Sequence, residues 1–419
     1  MKYTKVLIRF GDLMLKGKNK KAFMDRIVAQ IKLNIKDLNI KMDKKHDRIY
    51  LDITNVPEAI IEQRLNRVAG IGSYSFVIEC ESEMDAIRDT AIKLLTSEGK
   101  KGSTIKFETK RTDKNFRFTS QEVSKHVAGM VLKALDGFYK VQMVNPEITV
   151  YIELREEKTY LYLNSVRAMG GFPVGVAGKA LCLLSGGIDS PVASYLSMKQ
   201  GVENEGIHFE STPMTSIESA QKVLDLAKKL AYYAPRHEYK VHMVPFHALH
   251  ERIMKDIYEP YMITVMRRMM FRIAEKMADK RKCLALITGE SVGQVASQTL
   301  NSMKAIEEVT IMPILRPLVT VDKLDIVNLA IKIDTYEISI KPFEDCCTVY
   351  VPKEPATKPT GQKAAYYEQF MGEYDTLIDE LIENTKTFIV TPNSTIDLTS
   401  YGFSVKEAWE VLNSDQLEG

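Results

Sequence analysis

The chain has 419 residues, of which 45% are hydrophobic and 27% charged, an ordinary globular composition with length for two or three domains. It holds no run of about 18 apolar residues, and residues 1–10 carry too short an apolar stretch for a signal peptide. A cytoplasmic protein is therefore expected. Five cysteines, at 80, 182, 283, 346 and 347, form no C-x-x-C spacing, which argues against structural zinc and a disulfide framework. Cys80, Cys182 and Cys283 stand in apolar runs and read as small buried hydrophobes.

The net charge of +2 conceals a split. Residues 1–178 hold 31 basic against 22 acidic side chains, and the remainder holds 26 against 33. A basic front half joined to a mildly acidic back half suits a protein that grips an anionic macromolecule at one end and modifies it at the other.

In chain order, residues 5–10 (KVLIRF) predict a strand, and a basic loop, 11–20 (GDLMLKGKNK), leads into a helix over 22–38. Phe23, Ile27, Ile31 and Ile35 recur there at four-residue steps. A strand at 48–53 and a short helix at 57–66 complete a small α+β pattern of ferredoxin-like type, bounded at 1–60. The next unit, 61–168, predicts strands at 76–80, 104–109, 148–154 and 159–163 around helices at 83–95 and 120–135. Two basic runs mark this half: Lys16, Lys18, Lys20 and Lys21, then Lys110, Arg111, Lys114 and Arg117. Any one such residue can serve only to solvate a surface, but their clustering points to phosphate contacts. Residues 169–178 (MGGFPVGVAG) hold four Gly and one Pro and predict a linker.

From 179 to 419 short apolar runs alternate with helices: 181–184, 206–209, 240–244 and 283–288, with a helix over 260–280. This predicts an α/β domain with a parallel sheet and helices on both faces, whose ligands bind at the carboxyl ends of the strands. At one such end stands SGGIDS, residues 185–190, directly before a helix. Gly186 and Gly187 allow the backbone N–H groups to approach an anion. Ser185 and Ser190 add hydroxyl donors, and Pro191 suits a first helical position with Ser190 as N-cap. Asp189 would repel phosphate unless Mg²⁺ lay between them, so it reads as a group that handles metal or pyrophosphate. The chain has no G-x-x-x-x-G-K-[ST] and no G-x-G-x-x-G, which excludes a Walker-type NTPase and a dinucleotide fingerprint.

SGGIDS resembles the PP-loop of the ATP pyrophosphatases, which cleave ATP between its α and β phosphates. With GDLMLKGKNK, the segment 107–116 (FETKRTDKNF) typical of a THUMP domain, 288–299 (TGESVGQVASQT) and 342–347 (PFEDCC), in this order along nearly the whole chain, it resembles the ThiI family of tRNA 4-thiouridine synthetases. The resemblance implies a ferredoxin-like domain at 1–60, a THUMP RNA-binding domain at 61–168 and a PP-loop pyrophosphatase domain at 179–419. It implies ATP with Mg²⁺, tRNA as substrate, a cysteine desulfurase as sulfur donor, sulfur delivery to the carrier ThiS for the thiamine thiazole, and a homodimer.

The reaction so implied adenylates O4 of the uridine at position 8 of tRNA, after which a cysteine persulfide displaces AMP. The logic is chemical: a pyrimidine carbonyl oxygen leaves poorly until it carries a phosphoryl group. The resemblance places Leu183, Leu184, His208, Phe209, Arg267, Gly289 and Gln298 around ATP, and Ser185, Gly186, Gly187, Asp189 and Ser190 on its phosphates. Lys323 matches a basic position associated with adenylation, and Cys346 the persulfide carrier. Cys346 follows the polar residues 344–345 and is expected to be exposed, as a reactive thiol requires access. The chain departs from longer family members in ending about 70 residues after Cys347 with no further cysteine, the short form without a rhodanese-like domain. Asp12 stands where the family more often carries Glu. Two rival readings remain: another PP-loop ligase that adenylates a small acid or nucleotide, and an RNA-binding module whose ATP site is regulatory.

Overall fold

The computed structural model describes residues 3–11, 20–349, 352 and 354–415, and the side chains of residues 296, 347, 348 and 415 lie outside that description. The chain divides into two compact units, Met1–Gly171 and Phe172–Gly419, a division that falls within the glycine-rich stretch 169–178.

The first unit is built on one nine-stranded sheet. Its strands are β1 (Lys5–Phe10), β2 (Met42–Lys44), β3 (Arg48–Asp52), β4 (Ile71–Cys80), β5 (Thr104–Arg111), β6 (Lys140–Val141), β7 (Ile148–Leu154), β8 (Thr159–Tyr162) and β9 (Val166–Arg167). Their order is β2-β3-β1-β4-β8-β7-β5-β6, with β9 on β4. The ten-residue β4 pairs with β1 along one stretch and with β8 along the other, so it carries the sheet from the ferredoxin-like part into the next. Helix Lys20–Asn34 buries Ile27 and Ile31 of the four-residue series read from the sequence, together with Met24, while Phe23 is half-buried and Ile35 is buried just past the helix end. Helix Ser120–Ala134 starts with a capping box, in which Thr119 and Glu122 satisfy each other's backbone N–H, and buries Val123, Val127 and Val131.

The second unit holds a six-stranded sheet of β10 (Lys179–Leu183), β11 (Glu203–Glu210), β12 (Tyr239–Pro245), β13 (Leu286–Ile287), β14 (Ile314–Leu315) and β15 (Lys386–Val390), ordered β14-β13-β10-β11-β12-β15. All neighbours are parallel except β15, which closes the edge antiparallel to β12. The central strands are buried along nearly all their length, as a parallel sheet covered on both faces requires. Helix Met262–Arg281 packs Val265, Met269, Phe271, Ile273 and Met277 into the core that also receives Leu181, Ile207 and Phe209.

Two expectations need revision here. The run 283–288 forms a ladder only at Leu286–Ile287, because Lys282 is left-handed (φ 56) and the Cys283 N–H still bonds the Ala278 carbonyl, so the chain is leaving its helix through those residues. Cys80 is only half-buried, unlike Cys182 and Cys283. Among the described residues, no helix is long and apolar enough to cross a membrane.

At the amino ends of the central strands the buried Glu205 carboxylate gathers His242 (3.0 Å), Arg281 (2.8 Å) and Lys179 (3.3 Å). Burial alone would raise its pKa, but the bonds from His242 and Arg281 and the Lys179 charge hold it well below the usual carboxylate range. A group whose folded pKa is depressed stabilises the fold above its unfolded pKa and loses that contribution as pH falls through the folded value. Glu205→Gln should therefore cost on the order of 2–4 kcal/mol near neutral pH in urea unfolding. The gap to the unaltered chain should narrow on acidification; a gap that stays constant into strong acid would show that Glu205 stabilises by packing alone.

Candidate active site

β10 ends at Leu183, the Leu184 N–H bonds the Ile207 carbonyl of β11, and the chain then turns at Ser185. The Ser190 hydroxyl organises the turn: it accepts from the Ser185 N–H (2.9 Å), donates to the Ser185 carbonyl (3.2 Å) and lies 3.1 Å from Ser185 Oγ. Ser185 Oγ in turn accepts from the Gly187 N–H at 3.3 Å. Helix Asp189–Lys199 begins with Ile188 at the N-cap, which corrects the expectation that Ser190 caps it and Pro191 opens it. The Ser190 side chain is directed back into the loop, where it fixes loop shape instead of capping the helix.

Gly289, just beyond β13, packs against this helix start. A Cβ built there would lie 2.7 Å from the Ser190 nitrogen and 2.8 Å from the Asp189 carbonyl carbon, and since both are backbone atoms neither can move aside cheaply. The position requires glycine for close approach, whatever else it contacts.

A cavity of about 470 Å³ opens at the carboxyl ends of β10, β11 and β13. Every residue assigned to ATP by the sequence reading except Gly186 lines it: Leu183, Leu184, Ser185, Gly187, Asp189, Ser190, His208, Phe209, Arg267, Gly289 and Gln298. Its lining combines an apolar part, Leu183, Ile207, Phe209, Met270 and Phe271, with a polar part that includes the loop and Asp189. Within the lining, His208 Nδ1 lies 3.0 Å from the Leu184 carbonyl. A carbonyl can only accept, so Nδ1 bears the hydrogen, and in the neutral ring Nε2 is an acceptor. Gly186 is the exception: its N–H donates to Asp345 Oδ2 at 2.9 Å.

The charged groups are paired. Asp189 Oδ1 lies 2.5 Å from Lys323 Nζ, and Oδ2 accepts from Gln294 Nε2 at 3.0 Å. Lys323 therefore reaches the loop from the start of helix Lys323–Lys332 without lining the cavity itself. Arg267 pairs with buried Glu290 at 2.5 Å, and Arg316 meets the same carboxylate at 2.8 Å. Burial would push the Glu290 carboxyl up, but the two guanidinium groups hold it below its ordinary value. It stays ionised and fixes Arg267 against the cavity wall.

Cys346 also lines this cavity, and it is buried, 5% exposed, which corrects the expected exposure. The segment before it is polar in sequence and Lys341 and Glu344 are exposed, yet several of its backbone and side-chain polar groups bond to protein. Lys222 Nζ donates to the Lys341 carbonyl (2.9 Å) and the Phe343 carbonyl (3.3 Å), Ser339 Oγ donates to the Gly187 carbonyl (3.3 Å), and Asp345 takes the Gly186 N–H. Burial pushes the Lys222 ammonium pKa down, and the Asp345 charge opposes that shift. The Cys347 side chain lies outside the described residues. Sequence reasoning singled out neither Asp345 nor Lys222, nor did it pick Glu290 as the partner of Arg267; Glu290 and Asp345 stood inside quoted motifs, whereas Lys222 sits in a helix with no local signal.

Of the basic candidates, Lys16 and Lys18 lie outside the described residues. Lys20 and Lys21 begin helix Lys20–Asn34, and Lys110 and Lys114 are exposed at the end of β5 and beyond it. Arg117 is exposed with its guanidinium 5.1 Å from the Phe118 ring centroid. Arg111 is occupied differently: it donates to the carbonyls of Phe116 and Phe118 at 2.9 and 2.8 Å, bracing the basic loop.

Comparison with known proteins identifies the domains and the family. Residues 5–75 match the ThiI ferredoxin-like domain, 81–164 the THUMP domain and 175–372 the family described as thiamine biosynthesis protein (ThiI). The chain is 49% identical over 403 residues to the probable tRNA sulfurtransferase of Acholeplasma laidlawii (strain PG-8A), covering 96% of this chain and 97% of that one. It is 43% identical over 388 residues to the probable tRNA sulfurtransferase of Bacillus subtilis (strain 168), covering 92% and 96%. The crystal structure of a 4-thiouridine synthetase–RNA complex with bound ATP superposes with a TM-score of 0.83 at 31% identity, over 93% of this chain and 100% of that one. From its sequence relatives, its domain matches and its fold, the chain belongs to the ThiI family.

Proposed function

We propose that this chain is an ATP-dependent tRNA sulfurtransferase that makes 4-thiouridine. The observation that carries the reading is that the Ser185–Ser190 loop and Cys346 line one cavity, so a group activated at the loop meets sulfur without leaving the site. Adenine would lie against the apolar lining, with His208 Nε2 as an acceptor toward an amino group, and the phosphates would lie on the N–H groups of the loop and of the following helix start. Arg267, held by Glu290, would offer charge to the phosphates. Asp189 contributes a single carboxylate, which suits Mg²⁺ carried by a nucleotide and not an ion caged by protein; among the described residues no cluster of three His, Cys, Asp or Glu could hold one. Mg²⁺ held there would neutralise phosphate charge.

The uridine O4 then attacks the α phosphorus and pyrophosphate leaves. The terminal sulfur of a Cys346 persulfide, loaded by a cysteine desulfurase, attacks C4 and AMP departs. A second thiol, Cys347 or an external one, then attacks the Cys346 sulfur: the 4-thiouridine sulfur leaves, a disulfide forms between the two thiols, and an external thiol reductant returns Cys346 to the thiol. Lys20, Lys21, Lys110, Lys114 and Arg117 would grip tRNA phosphates in the first unit.

Asp189→Ala should lower tRNA-dependent AMP formation on the order of 10²-fold or more while the melting curve is preserved. Normal AMP release from a folded Asp189→Ala protein would remove Asp189 from the reaction. Release that demands a small acid instead of tRNA would favour a different PP-loop ligase.

Affinity supplies an independent check. If the basic half neutralises roughly 6 to 10 phosphates, raising salt from about 50 to about 200 mM should weaken tRNA binding on the order of 10³-fold or more. A flat salt response in a filter-binding titration would return these lysines to a solvating role.

A further inference from the structure

The first glycine of the loop motif is spent on something other than phosphate. Gly186 does not line the cavity, its N–H donates to Asp345 Oδ2 at 2.9 Å, and a Cβ there would come within 3.2 Å of both Asp345 Oδ1 and Lys222 Cδ. Glycine at this position therefore lets the Asp345 carboxylate and the Lys222 stem close on the loop backbone. Asp345 immediately precedes Cys346.

Four hydrogen bonds hold residues 339–345: Ser339 to the Gly187 carbonyl, Lys222 to the Lys341 and Phe343 carbonyls, and the Gly186 N–H to Asp345. Two of these partners are loop residues and the third, Lys222, is a buried lysine on helix Ile217–Ala231. Ser219 of the same helix lies 3.5 Å from Asp345 Oδ1. A buried lysine that spends its donors on two carbonyls of one short segment loses hydration to do so, and it returns that cost only while the segment stays in place.

We infer that Asp345 is a positioning residue, aided by Lys222: it ties Cys346 to the phosphate-binding loop so that sulfur is held against the site where the uridine oxygen is activated. Asp345 touches no reacting atom in this account. Its contribution is geometric, and misplacement of a reacting group by about 1 Å can cost on the order of 10²-fold in rate. The inference rests on the reading of the cavity as an adenylation and sulfur-transfer site, and it names the device by which the two half-reactions share a location.

The test compares Asp345→Ala, which removes the acceptor, with Asp345→Asn, whose amide oxygen still accepts the Gly186 N–H, and with Lys222→Met, which keeps the stem. The full chain is given tRNA, ATP, and a cysteine desulfurase with cysteine, and 4-thiouridine formed per pyrophosphate released in the first turnover is measured. That ratio should fall on the order of 10²-fold in Asp345→Ala, fall in the same direction in Lys222→Met, and stay within about twofold in Asp345→Asn. In parallel, iodoacetamide labelling of Cys346, read by peptide mass analysis without substrates, should accelerate in Asp345→Ala and Lys222→Met and not in Asp345→Asn. An unchanged ratio with unchanged labelling in Asp345→Ala would overturn the inference, and so would an Asp345→Asn protein as impaired as Asp345→Ala. Absence of tRNA-dependent AMP formation in the unaltered chain would instead overturn the functional reading, and the labelling rates would then judge the tether alone.

Discussion

The site depends on how the chain closes between Leu183 and Asp189. One hydroxyl, that of Ser190, accepts the Ser185 N–H and donates to the Ser185 carbonyl, which locks the loop into a single shape. The backbone beyond β13 approaches so closely that position 289 admits no side chain. Once the loop is fixed, the helix that follows it, the arginine anchored by Glu290 and the cysteine segment tied through Gly186 all take their places from it. Loop preorganisation matters because anion binding by backbone N–H groups is strong only when no reorganisation is required at the moment of binding.

Around the loop, charge is balanced pair by pair. Asp189 is held by Lys323, Glu290 by two arginines, and Asp345 lies beside Lys222. Carboxylates so compensated keep their partners oriented, and Glu290, held below its ordinary pKa by its two guanidinium partners, stays ionised. Arg267 shows the consequence. Its guanidinium cannot swing into solvent without abandoning Glu290, so it lines the cavity in a defined orientation, a geometric role that its place on a lysine- and arginine-rich helix would not suggest.

Much of this was legible in the sequence, and the parts that were not have physical causes. Residues 5–10, 148–154 and the central strands of the second unit announce themselves by apolar alternation or apolar runs, and the structure places strands there. β2, β6, β9 and β14 span two or three residues each, too short for any period to register. β15 is an edge strand with exposed Thr387 and Ile389 between buried positions, and its place is set by Phe388 packing on Trp409, a contact between residues 21 apart in the chain. The cavity lining follows from motif resemblance for eleven of the twelve assigned residues, while the N–H of the twelfth, Gly186, bonds Asp345. Cys346 is buried behind a polar segment, and polarity in sequence does not reveal whether water or protein satisfies the polar groups. Lys222, 119 residues before Lys341, supplies the donors that decide it.

The central claim is that one cavity hosts two separable steps, activation of a uridine oxygen at the loop and sulfur delivery from Cys346. A rapid-quench experiment with Cys346→Ala, radiolabelled ATP and tRNA tests it most directly. Activation requires no thiol, so adenylated tRNA should accumulate toward one equivalent per site while 4-thiouridine remains absent. Thiolation that persists without the Cys346 sulfur would contradict the account, as would a complete failure of a folded Cys346→Ala protein to adenylate tRNA.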